Sequence, residues 1–329
     1  MKAPLFWSAP PGLISGLLTP VSWVWTSVTR KRLSARGLEI GIPVICVGNL
    51  TAGGTGKTPV VMALLERFTQ DGVAAHVVSR GYGGSLEGPL RVDERKHSAS
   101  QVGDEPLLLS AFGRVWVSKD RAKGAQAARD AGADVILLDD GFQNPSLVKT
   151  KSILVIDAEA GFGNGCVMPA GPLREPVADG MARADLIVLI GPKSARSDFL
   201  TDQSLSLDVL EAELTPLQTG MTWEGLRALA FAGIGRPQKF FDSLSRAGVD
   251  LIGTRSFGDH APYRRDLLRR LLAEAKSKGA QLVTTEKDAV RLPQELRSEV
   301  LTFPVRLSFE DEARLETLVQ QTLKPDLEL

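Results

Sequence analysis

The chain has 329 residues, of which 43% are hydrophobic and 24% are charged, a composition typical of soluble globular domains. This excludes a disordered, collagen-like or multi-span membrane chain, and the length suits two domains. The 39 Lys and Arg residues balance 39 Asp and Glu residues, so no overall basic field points to nucleic acid. Two cysteines, Cys46 and Cys166, exclude a disulfide framework and a four-thiolate zinc site.

Residues 1–37 form an apolar segment that ends in a basic cluster. No ionisable side chain occurs from Ala3 to Thr29, and four cations then follow, namely Arg30, Lys31, Arg32 and Arg36. A signal peptide carries its positive charge before the apolar core, which disfavours that interpretation. We favour a helical segment lying at a membrane interface, rich in Trp and flanked by basic residues. A spanning helix, interrupted by Pro20, and a segment packed on its own domain are the alternatives.

The next part of the chain alternates between strand and helix patterns. Residues 42–48 predict a strand, a Gly-rich loop follows, and a helical pattern begins at Val60. Further strands are predicted at 74–79, 115–118, 135–138, 153–156 and 186–190, with helices at 107–111 and 120–132 and a long loop at 85–103. We therefore predict an α/β fold, a doubly wound parallel sheet of the P-loop NTPase type, over residues 38–204. Ligands of such a sheet bind at the carboxyl ends of its strands.

The remaining residues predict a linker and a second domain. Residues 205–225 are expected to contain a pair of linker strands, because polar and apolar residues alternate there. Residues 226–329 are expected to form a smaller α/β domain. Its predicted strands are 229–233, 250–257, 281–285 and 301–307, and its predicted helices are 237–247, 262–278 and 310–322.

A phosphate-binding loop is predicted at residues 53–58, which read GGTGKT between a strand and a helix. Its glycines allow backbone N–H groups to surround phosphate oxygens, and the helix N-terminus adds partial positive charge. We expect Lys57 to reach the β- and γ-phosphates and the Thr58 hydroxyl to ligate Mg²⁺. The strict motif has glycine at position 51, where this chain has Thr, so the loop is a variant form.

Two aspartates follow the strand predicted at 135–138. Asp139 and Asp140 would lie at the carboxyl edge of the sheet, close to the phosphate loop. Carboxylate oxygens suit Mg²⁺, which is bound by one or two carboxylates together with nucleotide phosphates. The loop and the acidic pair together predict Mg-nucleotide chemistry, as phosphoryl transfer or hydrolysis.

Candidates for handling the acceptor come from both domains. Asp104 begins a predicted helix, where its carboxylate is able to accept a proton from a hydroxyl group, or simply caps the helix. His260 follows a strand of the second domain, and would orient Asp104 if both domains close on one cleft. Arg80, Arg121 and Arg174 lie beside strand ends or loops and are candidate phosphate ligands, although solvated surface arginines are equally common.

These segments resemble the tetraacyldisaccharide 4'-kinase family, the lipid A 4'-kinases of Gram-negative bacteria. The resemblance rests on segments in matching order over nearly the whole chain: 43–59 (PVICVGNLTAGGTGKTP), 79–83 (SRGYG), 103–106 (GDEP), 139–143 (DDGFQ), 169–176 (PAGPLREP) and 285–290 (TEKDAV). It implies transfer of the ATP γ-phosphate to the 4'-hydroxyl of tetraacyldisaccharide 1-phosphate. It also implies Mg²⁺, two α/β domains, and action at the cytoplasmic face of the bacterial inner membrane, peripherally or through one N-terminal anchor. The expected partners are the lipid A precursor and the membrane surface, with no obligate protein partner.

The resemblance also assigns roles to residues. It implies catalytic roles for Asp104, His260, Lys57, Arg174 and Glu175 and metal binding by Thr58, Asp139 and Asp140. The nucleotide is expected to contact Thr51, Ala52, Gly53, Gly54, Thr55, Gly56, Lys57, Thr58, Arg80, Arg121 and Gln143. One departure concerns the family's Asp-His-His run, which reads Asp259-His260-Ala261 here. We assign the role to His260, because the first histidine position matches.

The main alternative is a membrane-associated P-loop switch ATPase, which uses hydrolysis to change partners. Such proteins share GGxGKT loops but typically carry Lys early in the loop, where this chain has Ala52.

Overall fold

The computed structural model describes residues 4–203 and 205–323; residues 1–3, 204 and 324–329 of the predicted segments lie outside the described part. The strands are β1 (Val44–Gly48), β2 (Ala75–Ser79), β3 (Leu90–Arg91), β4 (Arg114–Val117), β5 (Val135–Asp139), β6 (Lys151–Asp157), β7 (Leu186–Ile190), β8 (Val209–Pro216), β9 (Arg227–Ala232), β10 (Asp250–Ser256), β11 (Gln281–Thr285), β12 (Leu301–Phe303) and β13 (Val305–Phe309). The α-helices are α1 (Leu13–Leu33), α2 (Lys57–Gln70), α3 (Ala99–Val102), α4 (Asp104–Leu109), α5 (Arg121–Asp130), α6 (Val177–Met181), α7 (Lys193–Asp202), α8 (Pro237–Arg246), α9 (Arg265–Ser277), α10 (Glu286–Ala289) and α11 (Glu312–Leu323). Short 3-10 helices span Leu5–Trp7 and Gln294–Glu299.

The larger sheet has nine strands in the order β13-β8-β7-β6-β1-β5-β2-β4-β3. Its pairs are parallel except at the two edges, where β13 pairs with β8 and β3 with β4 in antiparallel fashion. Alternate residues of β1 enter different cores, because side chains alternate across a strand. Ile45 packs in a cluster with residues of α2, and Cys46 packs in the opposite cluster with residues of α5 and α7. Helices therefore cover both faces of a parallel-rich sheet, as expected from the sequence.

The smaller sheet has four parallel strands in the order β10-β9-β11-β12. The helix α8 covers one face with Phe240, Phe241 and Leu244, and α9 covers the other with Leu268 and Leu271. Each of these residues is less than a tenth exposed. The predicted second α/β unit is thus present as a layered domain with its own core.

Several sequence-based assignments differ from the structure. The pair of linker strands predicted within 205–225 is wrong, because the described part of this range contains the single strand β8, which pairs with β7 in the larger sheet.

The predicted strand 301–307 divides at Pro304, where β12 joins the smaller sheet and β13 the larger one. Proline has no N–H for a ladder, which suits this change of sheet. The chain therefore returns to the larger sheet near its C-terminal end, and α11 packs in that core through Leu315, Leu318 and Val319. Within the predicted loop 85–103 lie β3 and α3.

The N-terminal segment is helical, and the helix continues through Pro20. Its buried side chains are Ser15, Ser22 and Thr29, which repeat every seven residues along one face. That face carries hydrogen bonds to the larger domain: Ser22 Oγ donates to Val167 O at 2.7 Å. Large apolar side chains lie on the exposed side, namely Leu13, Ile14, Leu17, Val21, Trp23, Val24, Trp25 and Val28. The helix is therefore inverted relative to an ordinary surface helix, whose apolar stripe faces the core.

No helix in the described ranges meets the combined length and hydropathy that a membrane span requires.

Candidate active site

The loop between β1 and α2 has the backbone of a phosphate-binding turn. Gly53 and Gly56 have φ values of 120° and 93°, which side chains other than glycine rarely tolerate. A Cβ added at Gly56 would come within 2.6 Å of Ile190 Cδ1, so a larger residue would also displace that side chain. Lys57 and Thr58 are the first two residues of α2, where free N–H groups favour an anion.

The phosphate loop is held by the segment 169–176. The amide of Ala52 donates to Pro172 O at 2.8 Å, and the amide of Arg174 donates to Leu50 O at 2.7 Å. Asn49 Nδ2 donates to Thr51 O at 2.8 Å and thereby closes the first turn of the loop. This segment therefore positions the loop through backbone hydrogen bonds.

The acidic pair lies at the carboxyl end of β5, and its two carboxyl groups have opposite electrostatic environments. Burial, together with the nearby carboxylates of Glu105 and Asp140, raises the pKa of Asp139 to about 7. Burial alone would also raise the pKa of Asp140, but Lys57 and Arg174 outweigh it and lower that pKa to about 2. One carboxylate is therefore firmly ionised, whereas the other readily takes up a proton.

Asp140 connects the two cations expected at the phosphates. Arg174 donates through both terminal nitrogens, at 2.9 Å to Asp140 Oδ1 and at 3.3 Å to Oδ2. Lys57 Nζ lies 3.7 Å from the same Oδ1. Asp140 also adopts a left-handed backbone conformation with φ of 51°, which is uncommon outside glycine. The structure thus brings together Lys57, Asp140 and Arg174, as the sequence predicted.

Gln143, which is half-buried, and Glu175, which is buried, form a hydrogen-bonded support beside this group. Gln143 Nε2 donates to Glu175 Oε1 at 2.9 Å and to Asn49 O at 2.9 Å, while its Oε1 accepts from Arg174 at 3.2 Å. Glu175 is only 1% exposed and also accepts a hydrogen bond from Arg183. We expected Glu175 to be catalytic; its polar contacts within the described residues are to Arg183 and to Gln143, and the latter in turn accepts from Arg174.

The other two candidate arginines differ in environment. Arg121 is buried, and its Nη2 donates to the backbone carbonyls of Asp139 at 3.1 Å and Asp140 at 2.8 Å. Burial lowers the pKa of this guanidinium group. Arg121 therefore holds the backbone of the acidic pair. Arg80 is exposed just after β2.

Asp104 and His260 meet across the cleft between the two domains. His260 Nδ1 lies 3.0 Å and 2.9 Å from the two carboxylate oxygens of Asp104, which is 4% exposed. The hydrogen bond with Asp104 raises the pKa of His260. Burial would raise the pKa of Asp104, but His260, Lys287 and Arg291 together lower it. The pair is thus an ionised carboxylate next to an imidazole that is readily protonated.

Several residues of the cleft were not predicted. Lys287 donates to Glu105 Oε1 at 2.8 Å, and Arg291 Nε lies 3.7 Å from Asp104 Oδ2. A second contact between the domains joins Asp157, at the end of β6, to Arg236 at 2.9 Å and Lys239 at 2.8 Å. The sequence marks part of this group only through the segment 285–290, which contributes to the family resemblance but carries no predicted role.

A cavity of about 1140 Å³ opens beside Asp104 and His260. Tyr82, Tyr263 and Arg291 are among the residues that line it, and the rings of Tyr82 and His260 lie 5.4 Å apart. The cavity leaves room for a polar ligand next to the carboxylate.

The acidic pair fits a magnesium ion. Asp139 Oδ1 is buried without a hydrogen-bond partner among the described residues, while its Oδ2 accepts from Ser79 at 3.1 Å. A buried carboxylate oxygen normally has a partner, so this atom is a suitable ligand. Together with Asp140 and the Thr58 hydroxyl, it makes an all-oxygen donor set of the kind that Mg²⁺ prefers when phosphates complete its shell.

Comparison with known proteins gives one consistent family. Residues 14–324 match the sequence model described as tetraacyldisaccharide-1-P 4'-kinase. The tetraacyldisaccharide 4'-kinase of Dinoroseobacter shibae is 58% identical over 99% of this chain and 98% of its own length. That of Rhodospirillum centenum is 52% identical over 98% of this chain and 97% of its length. The crystal structure of LpxK from Aquifex aeolicus in complex with ATP aligns with a TM-score of 0.76 at 26% identity, covering 94% of this chain and 100% of that one.

The raised pKa of Asp139 predicts that Mg²⁺ competes with a proton for this site. Below a pKa of about 7 the carboxyl group is protonated, so apparent Mg²⁺ affinity should fall about tenfold between pH 8 and pH 6. Titration of Mg²⁺ calorimetrically in the presence of a non-hydrolysable ATP analogue measures this. Asp139→Asn is the control. Its apparent Mg²⁺ affinity should vary with pH only as far as protonation of the nucleotide itself requires. Identical pH profiles for the two proteins would contradict the prediction.

Proposed function

Because the chain belongs to the tetraacyldisaccharide-1-P 4'-kinase family, we propose that its cleft transfers the γ-phosphate of ATP to the 4'-hydroxyl of tetraacyldisaccharide 1-phosphate. The protein is a kinase of lipid A biosynthesis. The switch ATPase is not favoured, because relatives aligned over almost their full length are named as kinases. The observation that carries the mechanism is the contact of His260 with Asp104 between the two sheet domains.

The nucleotide is proposed to lie on the Thr51–Thr58 loop at the N-terminus of α2. An ATP complex of the related Aquifex aeolicus structure supports this nucleotide. Lys57 and Arg174 already converge on one anionic oxygen of Asp140, which marks where phosphate charge would be stabilised. Gln143 and Glu175 act by fixing Arg174, and Arg121 by fixing the backbone of the acidic pair. Arg80 is exposed, so its side chain is accessible to a ligand, and we propose it as a further nucleotide contact.

Thr58, Asp139 and Asp140 are the residues proposed to hold Mg²⁺. When bound, this ion neutralises charge on the phosphate oxygens and aligns the phosphates for transfer. The chain's own contribution is to keep Asp140 ionised and to present the unpartnered Asp139 oxygen.

Asp104 is proposed as the group that accepts the proton of the 4'-hydroxyl. Its lowered pKa keeps it ionised at neutral pH, so that it is ready to orient the hydroxyl and receive the proton as transfer proceeds. His260 orients the carboxylate of Asp104 through Nδ1, and this hydrogen bond stabilises the ionised form of the carboxylate. The matched family histidine therefore contacts the expected aspartate, and the loss of the second histidine at Ala261 leaves this contact intact.

The inverted helix α1 is proposed to lie on the cytoplasmic face of the inner membrane. Leu13 and Leu17 are 89% and 80% exposed, and a patch of this kind marks a membrane or protein interaction surface. The exposed basic residues Lys31, Arg32 and Arg36 suit anionic headgroups at the end of the helix. Trp25 Nε1 donates to Arg174 O at 3.0 Å, so the proposed membrane-facing helix contacts the active-site segment directly. An acyl-anchored acceptor would be delivered from that side.

We predict that the protein adds one phosphate to tetraacyldisaccharide 1-phosphate. The detergent-solubilised lipid is incubated with Mg-ATP and analysed by mass spectrometry, with fragmentation to locate the new group at the 4' position. Lys57→Ala should abolish transfer, because the phosphates lose the positive charge that the loop presents to them. ADP and free phosphate with unchanged lipid would support the switch ATPase instead.

Replacing Asp104 by Asn should lower kcat by about 100-fold or more, the usual contribution of a positioned general base. The KM for Mg-ATP should change less than about threefold, because Asp104 contacts the acceptor side and not the phosphate loop. Asp130→Asn, which alters an exposed carboxylate of the same domain, is the matched control. Equal losses in kcat and ATP affinity would contradict the role of Asp104 as base.

Removing apolar side chains from the exposed face of α1 should release the protein from membranes. Each buried side chain of this size contributes roughly 1.5–3 kcal/mol, so a Leu17→Ser, Val24→Ser, Val28→Ser variant should lose far more than tenfold in partitioning. Flotation with vesicles containing phosphatidylglycerol measures this. Val148→Ser with Leu217→Ser, at exposed positions elsewhere, is the control. Unchanged flotation of the triple variant would refute the membrane role of this face.

A further inference from the structure

The segment Thr285–Arg291 of the smaller domain follows β11 and includes α10. The two cationic side chains of this segment, Lys287 and Arg291, approach the helix that begins with Asp104. Lys287 Nζ lies 2.8 Å from Glu105 Oε1, and Arg291 Nε lies 3.7 Å from Asp104 Oδ2. Arg291 is 5% exposed, so its charge is stabilised almost entirely by protein groups. A buried guanidinium next to a proposed base requires an explanation, because burying charge is unfavourable without partners.

The same guanidinium holds the turn that presents His260. Arg291 Nη2 donates to Gly233 O at 2.8 Å and Nη1 donates to Ala261 O at 3.0 Å. Gly233 O also accepts the amide of His260 at 3.3 Å. His260 has a φ of 58°, an unfavourable value for a residue with a side chain, so its conformation depends on such surrounding contacts.

Asp288 fixes Arg291 in this position. Its carboxylate is fully buried and pairs with Arg291, while its Oδ1 also accepts from Tyr263 at 2.6 Å and from the amide of Gly233 at 3.0 Å. Thr285 Oγ1 donates to the other oxygen at 2.7 Å. Because both members of the pair are saturated with hydrogen bonds, Arg291 has little freedom to move away from the turn.

We propose that Arg291 is a positioning residue for phosphoryl transfer, holding Asp104 and the His260 turn in one geometry when the domains are together. This rests on the proposed role of Asp104 as the base. The groups that face Asp104 are His260 from the turn, Arg291 and Lys287 from the segment, and Glu105 from its own helix. Asp259 in turn faces His260 Nε2 at 3.7 Å. Arg291 is the cation that contacts both the aspartate and the backbone around the histidine.

An arginine suits this role better than a lysine. The planar fork donates in fixed directions to Asp288 and to the carbonyls of Gly233 and Ala261. Its Nε donates to Lys287 O at 3.4 Å and lies 3.7 Å from Asp104 Oδ2, so the guanidinium acts on Asp104 as a fixed nearby charge. An ammonium group keeps the charge but lacks the fixed fork. Arg291→Lys should therefore lose the fixed hydrogen bonds and keep the positive charge. Replacement of the guanidinium by a neutral amide should lose both the hydrogen bonds and the charge.

The test compares Arg291→Lys with the double variant Arg291→Gln, Asp288→Asn. The double variant removes both charges of the buried pair, so no uncompensated charge remains to unfold the domain. Both proteins should lose about 100-fold in kcat, as expected for a displaced catalytic group, with the KM for Mg-ATP within about threefold of the parent. The acidic limb of the kcat profile should also move to higher pH in the double variant. Arg291 lowers the pKa of Asp104, whereas the Asp288 carboxylate contacts Gly233, Tyr263 and Arg291 itself, so loss of the cation has the larger effect on Asp104. Arg265→Gln, which breaks an exposed pair with Glu295, is the control.

Unchanged kcat in both variants, or a loss without a shift of the acidic limb in the double variant, would overturn the proposal. Thermal unfolding of each variant separates a kinetic loss from a folding loss, since a merely structural role would lower both together. Repeating the substitutions in an Asp104→Asn protein tests the coupling: little further loss is expected if Arg291 acts through Asp104. If Asp104→Asn alone retains turnover, the base assignment fails, and that outcome is distinct from failure of the Arg291 proposal.

Discussion

The hydrogen bond between Asp104 and His260 is the contact on which the organisation of the cleft depends. Each residue belongs to a different sheet domain, so the bond forms only when the two domains are correctly placed. It joins a carboxylate that burial would otherwise neutralise to an imidazole whose pKa it raises. The other interdomain contacts, of Lys287 with Glu105 and of Asp157 with Arg236, surround the same cleft. The pair of Lys287 with Glu105 is partly exposed, whereas Asp104 and Asp157 are less than a tenth exposed, so the contacts of these two carboxylates are the better shielded from solvent.

Three carboxyl groups of the site differ in charge because their neighbours differ. Asp140 faces Lys57 and Arg174 and has a pKa of about 2, whereas buried Asp139, close to other carboxylates, has a pKa of about 7. Asp104 is kept ionised by cations of the smaller domain. Asp140 holds Lys57 and Arg174 in place, Asp139 has a buried oxygen that suits a metal, and Asp104 suits a proton acceptor. Such divergence among neighbouring acids is how one site assigns separate roles to chemically similar groups.

The parts predicted from sequence are those with local causes. The phosphate loop follows from glycines between a strand and a helix, and Asp140 follows from its place at a strand end, so both lie where expected. Long-range placement was not predictable in the same way. The transfer of the chain at Pro304 from one sheet to the other depends on which strand edges are available, and Arg121 has no local signal that it would turn inward to carbonyl groups. Arg291 is likewise one of many cations until the domains are assembled.

The segment 163–176 connects α1, the proposed membrane-facing helix, to the loop between β1 and α2. On one side it accepts hydrogen bonds from Ser22 and Trp25 of α1, and on the other its Pro172 carbonyl accepts the amide of Ala52 in the phosphate loop. Arg174, within the same segment, clamps Asp140. Polar residues of α1 are therefore used for attachment to the larger domain, which leaves its large apolar residues exposed. A helix packed in the usual orientation would bury those apolar residues. The inverted pattern instead keeps them exposed beside the segment that carries Arg174, and this placement is the physical basis for proposing that an acyl-anchored acceptor approaches from that side.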